Sequence, residues 1–167
     1  MLKDAARATF LIGTILTGGG CYESAFPLDA APQTELDSRL MGGWRCMFAE
    51  PDSHSVFAME LKASGDRRYQ ATTMVAGGDL GRYEVYGSVV KGATLVNVRS
   101  LQAAADEKPW VYLRYELLKP NILSVRSVRE TVVAGAAQSA VAVRESLEQV
   151  RDERDAYEDA FICLRLE

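Results

Sequence analysis

The sequence is short of the residues that most chemistry requires. Its one histidine, His54, sits in the polar stretch Glu50-Pro51-Asp52-Ser53-His54 and reads as an exposed loop residue, so no Ser-His-Asp triad assembles around it. The three cysteines, Cys21, Cys46 and Cys163, make no C-x-x-C pair, and neither a glycine-rich phosphate loop nor a metal-ligand spacing occurs. A surplus of positive charge is also missing. The 19 basic side chains face 23 acidic ones, a net charge of −4, which argues against the basic stripe of a nucleic-acid binder. No apolar run reaches the eighteen or so residues of a spanning helix. These gaps point away from an enzyme, a metal site or a cofactor. What is there, 48% hydrophobic and 25% charged residues over 167 positions, suits one globular domain.

The first twenty residues are unlike the rest. Lys3 and Arg7 precede a short apolar segment, 8–17, and Gly18-Gly19-Gly20 puts small residues directly before Cys21. That layout follows the logic of a secretory signal. An ordinary signal cut elsewhere and a buried N-terminal helix are the competing readings. The small-residue run ending in cysteine resembles the lipobox of bacterial lipoproteins, although Gly18 stands where lipoboxes usually carry leucine. The resemblance implies removal of residues 1–20, acylation of Cys21 and an exported protein held to a membrane by its lipid anchor. Tyr22 replaces the aspartate of inner-membrane retention in enteric bacteria, so the implied address is the outer membrane, or a site facing the periplasm. Losing residues 1–20 removes Lys3, Arg7 and Asp4 and leaves 17 basic and 22 acidic groups. Residues 21–33, with Pro27 and Pro32 among small residues, read as a tether, and 34–167 as the folded domain. With Cys21 acylated, Cys46 and Cys163 fit one disulfide in an oxidising compartment. Two separate buried thiols are the alternative.

From Gly43 onward, β-rich runs alternate with turns. The runs cover 44–49, 55–63, 68–75, 82–90, 93–101, 110–117 and 122–128, broken by Ser64-Gly65-Asp66, Gly77-Gly78-Asp79, Lys91-Gly92 and Lys119-Pro120-Asn121. Period-two patterning punctuated every ten residues or so predicts an antiparallel barrel or sandwich. A small-residue loop, 131–138, follows. Ser139 is a candidate N-cap for an amphipathic helix over 140–158, with Val143, Leu147, Val150 and Tyr157 on one face. Arg144/Glu148, Arg151/Asp155 and Arg154/Glu158 line the other. The apolar run 160–166 supplies an eighth strand.

The segment Thr34 to Trp44, ending in Gly42-Gly43-Trp44, resembles the start of a lipocalin-type barrel, in which a short helical turn leads to a G-x-W motif on the first strand. The resemblance implies a mainly β, eight-stranded antiparallel up-and-down barrel closed at one end by Trp44, with Arg165 of the last strand packed over it. The helix here precedes the last strand, whereas lipocalins carry theirs after it, which points to a more distant calycin-like relative. Residues opposite one another in an antiparallel pair have numbers of constant sum. The register that sets Cys46 against Cys163 therefore also sets Trp44 against Arg165, all on one face.

An eight-stranded barrel either fills with side chains or holds one small ligand. On 110–117, Val111, Leu113, Tyr115 and Leu117 share one face and Trp110, Tyr112, Arg114 and Glu116 the other; either could face inward. With the second face inward, Trp110, Tyr112 and Arg114 would form the ligand site, with polar anchors in an apolar cavity. Two functions follow. One is an envelope lipoprotein whose barrel binds a small apolar or amphipathic molecule. The other is an assembly or inhibitor module with a filled barrel, which docks an envelope protein partner on the acidic helix face of Glu148, Asp152 and Asp155.

Overall fold

Alternation of apolar and polar side chains makes most of this chain a single sheet. The computed structural model describes residues 23–49, 55–75, 78, 80–104, 108–133, 139–150 and 156–167. Cys21, His54, Asp152, Asp155 and the expected signal over 1–20 lie outside them. The strands are β1 Glu23–Ser24, β2 Gly42–Phe48, β3 Val56–Gly65, β4 Arg68–Val75, β5 Leu80–Val90, β6 Ala93–Ser100, β7 Trp110–Lys119, β8 Ile122–Val128 and β9 Tyr157–Arg165. Each of β2 to β9 pairs antiparallel with its sequence neighbour, and β9 pairs with β2, so the eight close into an up-and-down barrel. Short turns join β3 to β4, β5 to β6 and β7 to β8 at one end, while the longer connections lie at the other. We call the first the closed end and the second the mouth.

The closing seam has the expected register, with Trp44 opposite Arg165 and Cys46 opposite Cys163. The Leu166 N–H donates to the Gly43 carbonyl at 2.9 Å, and the Ala49 N–H to the Ala160 carbonyl at 3.0 Å. The odd-numbered residues of β2 therefore hold the hydrogen-bonded pairs. Cys46 falls in a non-hydrogen-bonded pair, where opposed side chains come closest. It is disulfide-bonded to Cys163, with Cα atoms 4.0 Å apart and both residues wholly buried.

Two apolar clusters form, one inside the barrel and one outside. The inner one holds Trp44, Cys46, Phe57, Leu61, Tyr69, Val85, Val96, Leu123, Val125 and Cys163, with Leu36 and Leu40 from the segment before β2. The outer one joins Tyr86, Val90, Leu95, Trp110, Tyr112 and Val128 of the sheet to Leu28 and to two helices, α1 Glu130–Val133 and α2 Ala140–Gln149. Val133, Val143 and Leu147 face the sheet. Strands β5 to β8 are thus covered on both faces, which explains the near-continuous apolar runs at 85–90 and 93–98.

Three expectations need correction here. The segment 21–33, read as a tether, is fastened to the barrel from Glu23 on. β1 pairs with β7 where β8 has already left it. The Leu28 N–H donates to Asn97 Oδ1 at 2.8 Å, Tyr86 Oη donates to the Asp29 carbonyl, and Arg144 pairs with Asp29. Leu28 supplies the apolar anchor that a composition of prolines and small residues hides. The helix expected over 140–158 starts as predicted, with Ser139 Oγ accepting from the Ala142 N–H, but ends at Gln149, and Val150 is extended. Tyr157 and Glu158 belong to β9, paired with Val128 and Ser127, because the outer face of the sheet needs the Tyr157 ring against Arg114 and Arg126. Finally, the loop expected at 131–138 begins with the single turn of α1, which buries Val133.

Candidate functional site

The closed end is sealed by a plug built from residues 34–41. Thr34 bridges to Gly87 on the part of β5 that β4 does not reach, and the Gln33 N–H donates to the Gly87 carbonyl at 2.8 Å. A Cβ at Gly87 would sit 2.8 Å from Thr34 Cγ2, so glycine is what allows this approach. Leu36 and Leu40 then enter the barrel. Two inward tyrosines accept from the plug's backbone, Tyr69 Oη from the Leu36 N–H and Tyr115 Oη from the Asp37 N–H. Asp37 caps the 3-10 turn Ser38–Leu40, and Arg39 beside it holds its carboxyl below the ordinary carboxylate range.

Gly42, Trp44 and Arg165 come together as expected. Trp44 is completely buried, and its indole N–H donates to the Leu40 carbonyl at 2.8 Å. The Arg165 guanidinium lies 5.2 Å from the ring centroid and donates to the carbonyls of Arg39 and Met41 at 2.6 and 2.7 Å. It ties off the plug while stacking on the indole. Gly42 has φ +109°, a region side chains avoid, and a Cβ there would press on Arg165 Nη2 at 3.3 Å.

Trp110, Tyr112 and Arg114 do not line the lumen. The inward face of β7 is the alternate one, Leu113, Tyr115 and Leu117, which packs on the inner cluster. Tyr112 Oη donates to the Phe26 carbonyl beneath the N-terminal segment. Trp110 is covered by Arg99 and meets Tyr86 edge-on, and Arg114 lies over Tyr157. Two contrasting faces on one strand cannot say which is inside when both are buried. The outer one is buried by Leu28 and the helices, elements distant in sequence.

At the mouth the interior is different. Phe48, Phe57 and Phe161 form an inward aromatic cluster, with centroids 5.0 Å apart for Phe48–Phe57 and 5.4 Å for Phe57–Phe161. Met59, Val75, Tyr83, Val98 and Leu113 also pack on the inner cluster, yet each is only partly buried. One charged side chain joins them. The pairing of β8 with β9 shifts by one between Val125 and Arg126, so Ala160 is a bulge residue. Past the bulge Glu158 sits opposite Ser127, which shares the inward face of Val125 and Leu113 and is itself buried. Ser127 Oγ donates to Glu158 Oε1 over a long 3.5 Å. Helical spacing had placed Glu158 on a solvated face, and no pattern in the sequence announces a single-residue bulge.

Along β3, alternation turns Phe57, Met59 and Leu61 inward and leaves Val56, Ala58, Glu60 and Lys62 outward. Among the described residues, the molecule therefore offers an apolar, disulfide-closed barrel, plugged at one end, whose inward side chains toward the other are only partly buried. Comparison with protein-family models, with curated proteins and with solved structures returns no match for this chain.

Proposed function

We propose that this protein is an envelope lipoprotein, anchored through Cys21, whose lipocalin-like barrel binds one small apolar or amphipathic molecule through its mouth. The observation that carries the reading is the half-buried state of the inward apolar side chains Met59, Val75, Tyr83, Val98 and Leu113 toward the mouth of a barrel whose other end is occupied by the plug over Trp44. A small-molecule site needs a largely apolar wall, a closed floor and a few polar groups. The plug over Trp44 supports the floor, and Ser127 and Glu158 are the polar groups. The N-terminal geometry suits the proposed anchor. Glu23 pairs with Val111 at the mouth end of β7. Two residues extend at most about 7 Å. Acyl chains on Cys21 would therefore hold the mouth close to the bilayer, where apolar ligands concentrate.

Mass spectrometry of the protein isolated from its source tests both halves. The expected chain begins at an acylated Cys21 and releases a small molecule on unfolding. In solution, the neutral fluorescent reporter N-phenyl-1-naphthylamine should bind with about 1:1 stoichiometry. Leu113→Arg at the mouth should lower its affinity at least tenfold, whereas Arg45→Ala on the outer face of β2 should not. Equal binding by the two variants, or none by the parent chain, sinks the proposal.

The second reading, a protein-docking module, draws on a different surface from the acidic helix. Met47, Ile162 and Leu164 stand exposed on the outer face of the closing seam, where a partner could cover them.

A further inference from the structure

We infer that the ligand of the barrel is an amphipathic cation, with its tail in the lumen and an amine or quaternary ammonium head held at Glu158. This inference rests on the proposed small-molecule reading and names the ligand's charge.

Four observations carry it. First, the β9 bulge turns the Glu158 carboxylate toward the lumen, and by strand pairing Glu23, opposite Val111 at the mouth, is the other acidic side chain on the inward face among the described strand residues. Second, among the described residues no lysine or arginine pairs with Glu158. Its partner among the described residues is the Ser127 hydroxyl, over a long bond, which leaves a half-buried carboxylate short of the charge and donors that would offset its desolvation. The neighbouring cations point away: Arg114 and Arg126 lie on the outer face over Tyr157, and Arg99 over Trp110. Third, Phe161, three residues along the same strand and also inward, belongs to the Phe48–Phe57–Phe161 cluster. Aromatic faces next to a carboxylate favour alkylammonium groups and offer nothing to an anionic head. Fourth, the whole chain is net negative, which draws cations toward it. An occupant that brings one positive charge and an apolar tail meets each of these features. A fatty acid meets the apolar wall and is repelled at its head.

The test uses the full-length chain carrying Cys21→Ser, which cannot be acylated at that position. Decyltrimethylammonium, decanol and decanoate, all below their micellar concentrations, compete with N-phenyl-1-naphthylamine. Calorimetry with decyltrimethylammonium alone reads binding directly. The cation should bind about tenfold more tightly than decanol, the worth of one charge-assisted contact in a partly desolvated site, and decanoate should bind most weakly. Glu158→Gln should bring the cation to the level of decanol. Phe161→Leu should weaken the cation more than decanol. Reporter and decanol binding without preference for the cation, or a preference that survives Glu158→Gln, overturns this inference and leaves the binding barrel standing. Absence of binding by all three ligands and the reporter overturns both.

Discussion

Reduction of the Cys46–Cys163 disulfide should remove a large part of the stability of this fold. The bond closes a loop spanning 117 residues, and in the chain-entropy account a loop of that length restricts the unfolded chain by about 5 kcal/mol. A domain of this size holds about 5–15 kcal/mol in all. The reduced protein should therefore sit close to its unfolding threshold, although every backbone hydrogen bond of the β2–β9 seam can still form. Urea unfolding followed by tryptophan fluorescence measures the difference between oxidised protein and protein refolded in reductant. With a urea dependence of about 1–3 kcal/mol per molar, the midpoint should fall by about 2 M or more. A Cys46→Ala/Cys163→Ala variant should fall at least as far, since both side chains are wholly buried. The same burial means that a thiol reagent reaches the bond only when the seam opens, so reduction in native buffer should accelerate as urea is added. Oxidised and reduced forms that agree to within about 1 kcal/mol would refute the reasoning. The barrel would then be closed by strand pairing alone, with the covalent link incidental.

The remaining expectations concern the outer cluster. Asn97 is wholly buried, accepts from the Leu28 N–H at 2.8 Å and donates to Ser88 Oγ at 2.8 Å. Asn97→Leu should cost about 2–4 kcal/mol through the groups left unpaired and should expose residues 25–33 to limited proteolysis; a strap that stays protected would show that it is held elsewhere. Burial pushes the Tyr86 hydroxyl up to about 12 from its ordinary 10.0, against the lowering effect of Arg68 over its ring. The folded state thus keeps this proton longer than the unfolded chain does. That contribution to stability is complete below pH 10 and is lost as pH rises through about 12. Unfolding free energy should fall across that window, less steeply in Tyr86→Phe, and an equal slope in both proteins would count against it.

Much of the barrel was legible because period-two patterning and turn chemistry are local. Residues 68–75 and 122–128 match β4 and β8 at both ends. The seam was legible for a different reason. Antiparallel pairing ties Cys46–Cys163 and Trp44–Arg165 to one register, so two independent pairs of residues predict the same closure. The ligand residues were not legible. Trp110, Tyr112 and Arg114 carry the aromatic and polar character expected of a pocket, and here that character serves a buried outer surface instead. Glu158 had helical spacing from Arg154, yet the chain leaves the helix at Gln149.

The sequence by itself determined that eight strands form the barrel and which ends meet, since these follow from alternation, glycine-bearing turns and the spacing of a few large side chains. Only the tertiary structure decided which face of β7 is inside, that Leu28 and α2 bury the other face, and that one extra residue at Ala160 turns a carboxylate into the lumen. The physical reason is range. Alternation and turns act over a few residues, whereas inside and outside are set by whichever distant element covers a face, and a bulge is a response to two strands meeting.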